Sequence, residues 1–146
     1  MAMYALAIPP LAAAGYSALY LLLVMAFGGT ISYKKSLSVW AYSWLPPSVL
    51  TTLIALLVLF LKSPDTIVPE NLVVTNPGAL FGEETSRVLV AILRQFDLLR
   101  FYGFFLAALG LRKVAKISSG QAWGVVLTLW ILGLLFAVGS AALFGR

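Results

Sequence analysis

The chain has 146 residues, 62% of them hydrophobic and 10% charged, and ten Lys and Arg against five Asp and Glu give a net charge of +5. Soluble domains carry about 25% charged residues, so this composition excludes a water-soluble fold. The sequence contains no cysteine and no histidine, which removes disulfides, thiol nucleophiles and histidine-based catalytic or metal sites. We therefore expect no catalytic residue, no metal and no cofactor.

Four apolar stretches predict an all-α, polytopic membrane protein that forms a single domain, a four-transmembrane-helix bundle. A helix needs about 20 mostly apolar residues to cross a hydrocarbon core about 30 Å thick. The predicted spans are residues 5–27, 36–61, 92–111 and 121–144 of the domain 1–146. The cations flank these spans, where headgroups lie, so the basic charge indicates a phospholipid bilayer as partner and not a nucleic acid.

The second span contains two consecutive prolines, Pro46 and Pro47. Proline in a helix interior removes a hydrogen bond and crowds the preceding turn, which predicts a kink near Leu45. Hydroxyl side chains are frequent on both sides of this break. They either bond the carbonyl groups that the prolines leave unpaired, or they line a polar path through the membrane.

The segment between the second and third spans, residues 62–84, is rich in proline and glycine and is predicted to be a loop. Its short apolar patch, residues 72–74, is suited to the bilayer surface. At its end, Glu83 and Glu84 would favour the start of the next helix through the helix dipole.

The third span carries three charged residues, Arg94, Asp97 and Arg100, spaced three apart. The apolar run that follows, residues 101–111, is too short to cross a bilayer, so a full crossing brings these charges to membrane depth. One interpretation is an intramembrane polar cluster in which an arginine on an adjoining turn neutralises Asp97 and pins the helix. The other places the triplet at the interface, with the arginines reaching to headgroups. If Asp97 pins the helix, Asp97→Asn lowers thermal stability.

Small residues recur every four positions in the last two spans. Such spacing lets helix backbones approach closely in lipid, where packing drives helix association. We expect these residues to serve helix packing, mainly within one chain, with contact to a second copy as the alternative. They are Gly103 and Ala107 in the third span and Gly133, Ala137 and Ala141 in the last.

Cations are concentrated in the two short loops that follow the first and third spans. Loops rich in Lys and Arg lie on the cytoplasmic side, so both chain ends are expected outside. Near the surface, each cation attracts anionic headgroups by about 1 kcal/mol. The predicted lipid-headgroup residues are Lys34, Lys35, Arg112, Lys113 and Lys116.

Two segments together resemble the Yip (Ypt-interacting protein) family of small polytopic membrane proteins in its bacterial form. The first is ISYKKSLSVWAYSWLPP, residues 31–47, with a basic turn, an Ala-Tyr dipeptide and a following proline. The second, residues 75–120, begins with TNPGAL and continues through RQFDLLRFYGFFLAALGLRKVAKISSGQA. Its matching positions are Asp97, Leu98, Gly110, Leu111 and Lys116, whereas Leu99 and Tyr102 replace the family's aromatic pair.

The resemblance implies a protein of five membrane helices, of which this chain supplies the last four, in a bacterial cytoplasmic membrane. It also implies a non-enzymatic function, either binding other membrane proteins or organising lipid. A first alternative is an accessory or scaffolding subunit of a larger membrane protein complex. A second is a small transporter or channel, whose flux would depend on Asp97 or on the hydroxyls near Pro46.

Overall fold

The computed structural model describes residues 2–61, 73–81 and 85–144, and every regular element among them is helical. This confirms the all-α prediction. In chain order the helices are α1 (Ala2–Ala26), α2 (Tyr33–Leu61), α3 (Arg87–Arg94), α4 (Leu98–Val114) and α5 (Ser119–Phe144), with a 3₁₀ turn at Pro77–Leu80 before α3. Most of the predicted 62–84 loop, with Glu83 and Glu84, lies outside the described residues.

Among the described residues, three helices are long and apolar enough to cross a membrane: Pro9–Ala26, Tyr33–Leu61 and Ser119–Leu143. Helix α4 has 17 residues, of which Arg112 and Lys113 occupy the last turn. Its length of about 25 Å falls short of the hydrocarbon thickness. Three of the four predicted crossings therefore have helices of sufficient length, and the crossing by α4 stays a prediction.

The third predicted span, residues 92–111, differs in the structure because two helices divide it. Helix α3 ends at Arg94, and the amide of Gln95 turns back to the carbonyl of Ile92. Helix α4 begins at Leu98, where Asp97 accepts a hydrogen bond from the amide of Arg100 and so acts as N-cap. The break arises because this cap starts a new helix, with three residues between the end of α3 and the start of α4.

Helix α2 continues through Pro46 and Pro47, and the predicted kink near Leu45 stays a prediction. The two prolines leave the carbonyls of Tyr42 and Ser43 without their helical donors. The neighbouring hydroxyls bond other carbonyls: Ser43 donates to Trp40, Thr51 to Pro47 and Thr52 to Ser48. These three hydroxyls donate to carbonyls of their own helix, and the bonding of the freed carbonyls by hydroxyl groups stays a prediction.

The chain divides into two compact units. The first contains Met1–Leu45 and Gly103–Leu129, and the second contains Pro46–Tyr102 and Trp130–Arg146. The first unit holds a core of mostly small and branched side chains from α1, α2, α4, α5 and the loop before α5, with Tyr20 as its aromatic member. Its members are Tyr20, Val24, Val39, Ala107, Ala108, Leu111, Ala115, Ile117, Ala122, Val125 and Val126.

The end of α1 and the start of α5 meet in the first unit. Gly28, at φ 81°, ends α1 in a Schellman motif, in which the amide of Gly29 bonds the carbonyl of Val24 at 2.8 Å. Ile117 packs over Gly29. Gln121, in the first turn of α5, donates from Nε2 to the carbonyl of Phe27 at 2.7 Å. The two short basic loops therefore lie at the same end of this unit.

Candidate functional site

Asp97 lies in the second unit, immediately before α4. Its Oδ1 accepts a hydrogen bond from the amide of Arg100 at 3.0 Å, and its Oδ2 accepts one from the Thr75 hydroxyl at 2.5 Å. The Leu98 amide donates to the carbonyl of the same Thr75 at 3.1 Å. The carboxylate therefore caps the start of α4 and connects α4 to the segment before α3. Its negative charge also interacts favourably with the dipole of α4, whose N-terminus is positive.

Arg94 and Arg100 flank Asp97 on two different helices, and both are exposed. The guanidinium of Arg100 donates to the side-chain oxygen of Gln95. The aliphatic part of Arg94 lies over Gly78, where an added Cβ would be 2.8 Å from Arg94 Cγ. Residues 94–100 are called the polar turn below. Its carboxylate accepts hydrogen bonds from a hydroxyl and an amide, and the pairing of Asp97 with a guanidinium group stays a prediction.

Aromatic side chains surround one side of the polar turn. The indole N–H of Trp130, on α5, donates to the carbonyl of Gln95 at 3.3 Å. The ring of Trp130 meets Phe96 edge-on, with centroids 5.4 Å apart, and lies 6.0 Å from the ring of Phe101. Edge-to-face and tilted rings at these distances attract one another. The polar turn is therefore fixed to α5 by one hydrogen bond and by this aromatic group.

Asn76 adds a polar atom beside the polar turn. Its Oδ1 is buried and has no hydrogen-bond partner among the described residues. The same atom lies 3.1 Å from the position of a Cβ added at Gly78, the glycine covered by Arg94. A buried acceptor without a donor is unusual in a folded protein. Asn76 and Thr75 belong to the TNPGAL motif. In the sequence, only the family resemblance drew attention to this motif.

A second polar contact joins α1 to α2 in the first unit. Ser36 and Ser17 are fully buried, and the Ser36 hydroxyl donates to the Ser17 carbonyl at 2.6 Å. The Ser17 hydroxyl donates to the Ala13 carbonyl in its own helix. Tyr33 reaches the Ala14 carbonyl at 3.3 Å. Such bonds between membrane helices contribute on average about 0.6 kcal/mol each.

The predicted packing residues have unequal surroundings. Ala107 is buried in the core of the first unit, whereas Gly103, Ala137 and Ala141 are half-buried. Gly133 is exposed, and a Cβ added there would meet nothing within 4 Å. Their role in packing stays a prediction.

The closest approaches in the first unit occur at glycines outside the four-residue repeat. An added Cβ at Gly110 would lie 3.1 Å from Val39, and one at Gly124 would lie 2.7 Å from the ring of Phe27. At Gly29 it would overlap the side chain of Ile117. The sequence signal for Gly29 is the Gly-Gly pair that ends the first span, whereas Gly110 stands in the Leu-Gly-Leu segment of the family resemblance.

The basic residues proposed to bind headgroups are all exposed. Lys34 and Lys35 lie in the first turn of α2, Arg112 and Lys113 lie in the last turn of α4, and Lys116 follows with φ 54°. Arg112 and Lys113 stabilise α4, because positive charge at a helix C-terminus interacts favourably with the helix dipole. Because the two loops lie at one end of the first unit, the five cations can face the same leaflet.

The comparisons with known proteins agree with the features described above. The family model of the Yip1 domain matches residues 1–140, which includes both segments that carry the resemblance. No curated protein and no solved structure matches the chain. The Yip1 domain is found in non-enzymatic membrane proteins. The chain therefore belongs to the Yip1 domain family.

Proposed function

We propose that this chain is a four-span membrane protein that acts without catalysis, by binding other membrane proteins or by organising lipid. The topology is supported by the meeting of the two short loops at one end of the first unit, through Gln121 and Phe27. The chain leaves that end in α2 and returns to it in α4. Helix α4 then crosses the membrane despite its 17 residues, with the polar turn completing the crossing.

Cysteine labelling tests this topology, and the cysteine-free sequence makes single-cysteine variants simple to read. Lys34→Cys and Lys113→Cys should react with a membrane-impermeant maleimide from the same side of sealed vesicles, the cytoplasmic side. Ser86→Cys, exposed before α3, should react from the opposite side. All three residues are exposed, so the membrane and not burial decides the reaction. Labelling of Lys113→Cys from the side of Ser86→Cys would contradict a crossing by α4.

The function is carried by one observation, the exposure of the second half of α2. Residues 49–54 are all exposed, which is more than one full turn of a helix. Farther along, Phe60 is 87% exposed and Leu61 76% exposed. A helix that serves only its own fold buries one face. This part of α2 instead exposes the apolar side chains Val49, Leu50, Leu53 and Ile54, either to lipid or to another membrane protein.

The test is gentle extraction of the native protein from its own membrane, followed by mass spectrometry of the intact complexes. We expect the protein to carry bound phospholipid or a variable set of membrane proteins. Partners in one fixed stoichiometry would instead favour the accessory-subunit alternative. A solute flux in reconstituted vesicles that Asp97→Asn abolishes would contradict the proposal and favour a small transporter or channel.

A further inference from the structure

Two contacts in the first unit place residues 29–39 beside residues 110–117. A Cβ added at Gly29 would overlap the side chain of Ile117, and one added at Gly110 would lie 3.1 Å from Val39 Cγ1. The start of one segment thus meets the end of the other at both contacts. The two segments therefore run side by side in opposite directions, and both belong to the first unit.

All the positively charged side chains of the first unit lie between these two contacts. The unit contains five Lys and Arg and no Asp or Glu, because all five acidic residues of the chain belong to the second unit. No carboxylate of their own unit can therefore neutralise these cations, and all five are exposed. We call them the basic patch: Lys34 and Lys35 on the first segment, and Arg112, Lys113 and Lys116 on the second.

The contact of Val39 with Gly110 brings cations of α2 and α4 near one another. Lys35 lies four residues before Val39, and Lys113 lies three residues after Gly110. Helix positions three or four apart share a face, so each lysine lies one turn from the contact, on the side of the neighbouring helix. The axes of packed helices are about 8–10 Å apart. An anionic group between the two segments can therefore be reached from both of them.

The basic patch lies at the level of phospholipid headgroups. The end of α1 and the start of α5 meet at this end of the unit, through Gln121 and Phe27, and both helices are long enough to cross a membrane. Tyr33 begins α2, and Trp123 lies in the second turn of α5. Tyrosine and tryptophan are enriched where membrane helices enter the headgroup region. Cations just beyond these residues are placed to meet phosphate groups.

We propose that the basic patch binds a phospholipid whose headgroup carries two phosphate groups, with one phosphate on each segment. Basic surfaces between membrane helices suit such headgroups. One lipid that bridges both segments gains its second contact without a second loss of translational freedom, unlike two lipids with one phosphate each. This inference names the lipid class and rests on the proposed organisation of lipid. It does not depend on the crossing by α4, because both segments belong to the first unit.

The experiment titrates the detergent-solubilised protein with cardiolipin, which has two phosphates, and separately with phosphatidylglycerol, which has one. Native mass spectrometry counts the bound lipid. Cardiolipin should bind at least about tenfold more tightly, because it meets the cations of both segments at once.

Two variants each remove the cations of one helix. K34Q/K35Q and R112Q/K113Q should each weaken cardiolipin binding about tenfold and change the affinity for phosphatidylglycerol less. R87Q/R94Q is the charge-matched control, because it removes two exposed arginines from the second unit. Its affinity for cardiolipin should equal that of the unmodified protein.

Three outcomes would overturn the proposal. Equal affinity of the unmodified protein for the two lipids would show that the second phosphate is not held, and this result requires no variant to fold. Unchanged cardiolipin affinity in both variants would remove the basic patch from the site. Displacement of cardiolipin by millimolar inorganic pyrophosphate would make it a site for soluble anions. Equal binding of the two lipids overturns this inference alone, whereas a protein that binds neither lipid overturns the proposed organisation of lipid as well.

Discussion

Replacing Gly29 by alanine should lower the free energy of unfolding by about 1–3 kcal/mol, the usual cost of overpacking a filled core. The added methyl group would overlap the side chain of Ile117 and lie 2.9 Å from Val24 Cγ1 and 3.3 Å from the Val24 carbonyl oxygen. Val24 is fully buried and Ile117 is nearly so, and a carbonyl held in the α1 C-terminal motif cannot move aside. The midpoint of thermal unfolding in detergent measures the loss.

Gly15→Ala is the control for this substitution. Gly15 lies exposed in α1, and a Cβ added there would meet nothing within 4 Å. Alanine also favours a helix over glycine by up to about 1 kcal/mol. The control should therefore melt at the same temperature as the unmodified protein or higher. If Gly29→Ala is as stable as Gly15→Ala, the loop after α1 and the loop before α5 do not pack as closely as Gly29 and Ile117 indicate.

Asp97→Ala should destabilise the protein by about 1–3 kcal/mol, through loss of a helix N-cap and of the hydrogen bond from Thr75. Asp97→Asn should cost clearly less, because asparagine keeps a side-chain oxygen and caps helices about as well as aspartate. Thermal unfolding of the two variants side by side is the measurement. An ion pair with Arg94 or Arg100 as the main role of Asp97 would make the two substitutions equally damaging.

Thr75→Val separates the two bonds that Asp97 accepts. Valine has the shape of threonine without the hydroxyl, so it removes the 2.5 Å bond to Oδ2 and leaves the N-cap bond from Arg100. It should therefore reproduce part of the Asp97→Ala effect. A Thr75→Val protein that melts like the unmodified one would leave Asp97 with a capping role only.

The sequence predicts much of the fold because long apolar stretches have few ways to satisfy their backbone in lipid. The first predicted span, residues 5–27, covers nearly the same residues as α1. The last predicted span, residues 121–144, covers nearly the same residues as α5. The family resemblance, found in two short segments, is confirmed by the match over residues 1–140. These features depend on composition and on local motifs, which one sequence displays directly.

The break before Leu98 could not be predicted in the same way. Asp97 caps α4, but its other hydrogen-bond partner, Thr75, lies 22 residues away and has no spacing relation to it. The small-residue repeat on the last span, in contrast, marks a glycine that has no close neighbour in the structure. Periodicity marks Gly133, but only the fold shows that Gly29, outside any repeat, is where two chain segments nearly touch. Which face of a helix meets a neighbour is set by tertiary packing and not by spacing.

Gln121 joins the end of α1 to the start of α5. Its Nε2 donates to the carbonyl of Phe27, 94 residues earlier in the chain, while its Oε1 accepts from the amide of Ser118. During translation α1 leaves the ribosome and enters the bilayer long before Gln121 is synthesised. Until then the Phe27 carbonyl has to find water or a headgroup. The bond that joins the end of α1 to α5 can therefore form only after the intervening helices have been synthesised, so the packing of this end of the first unit is completed late.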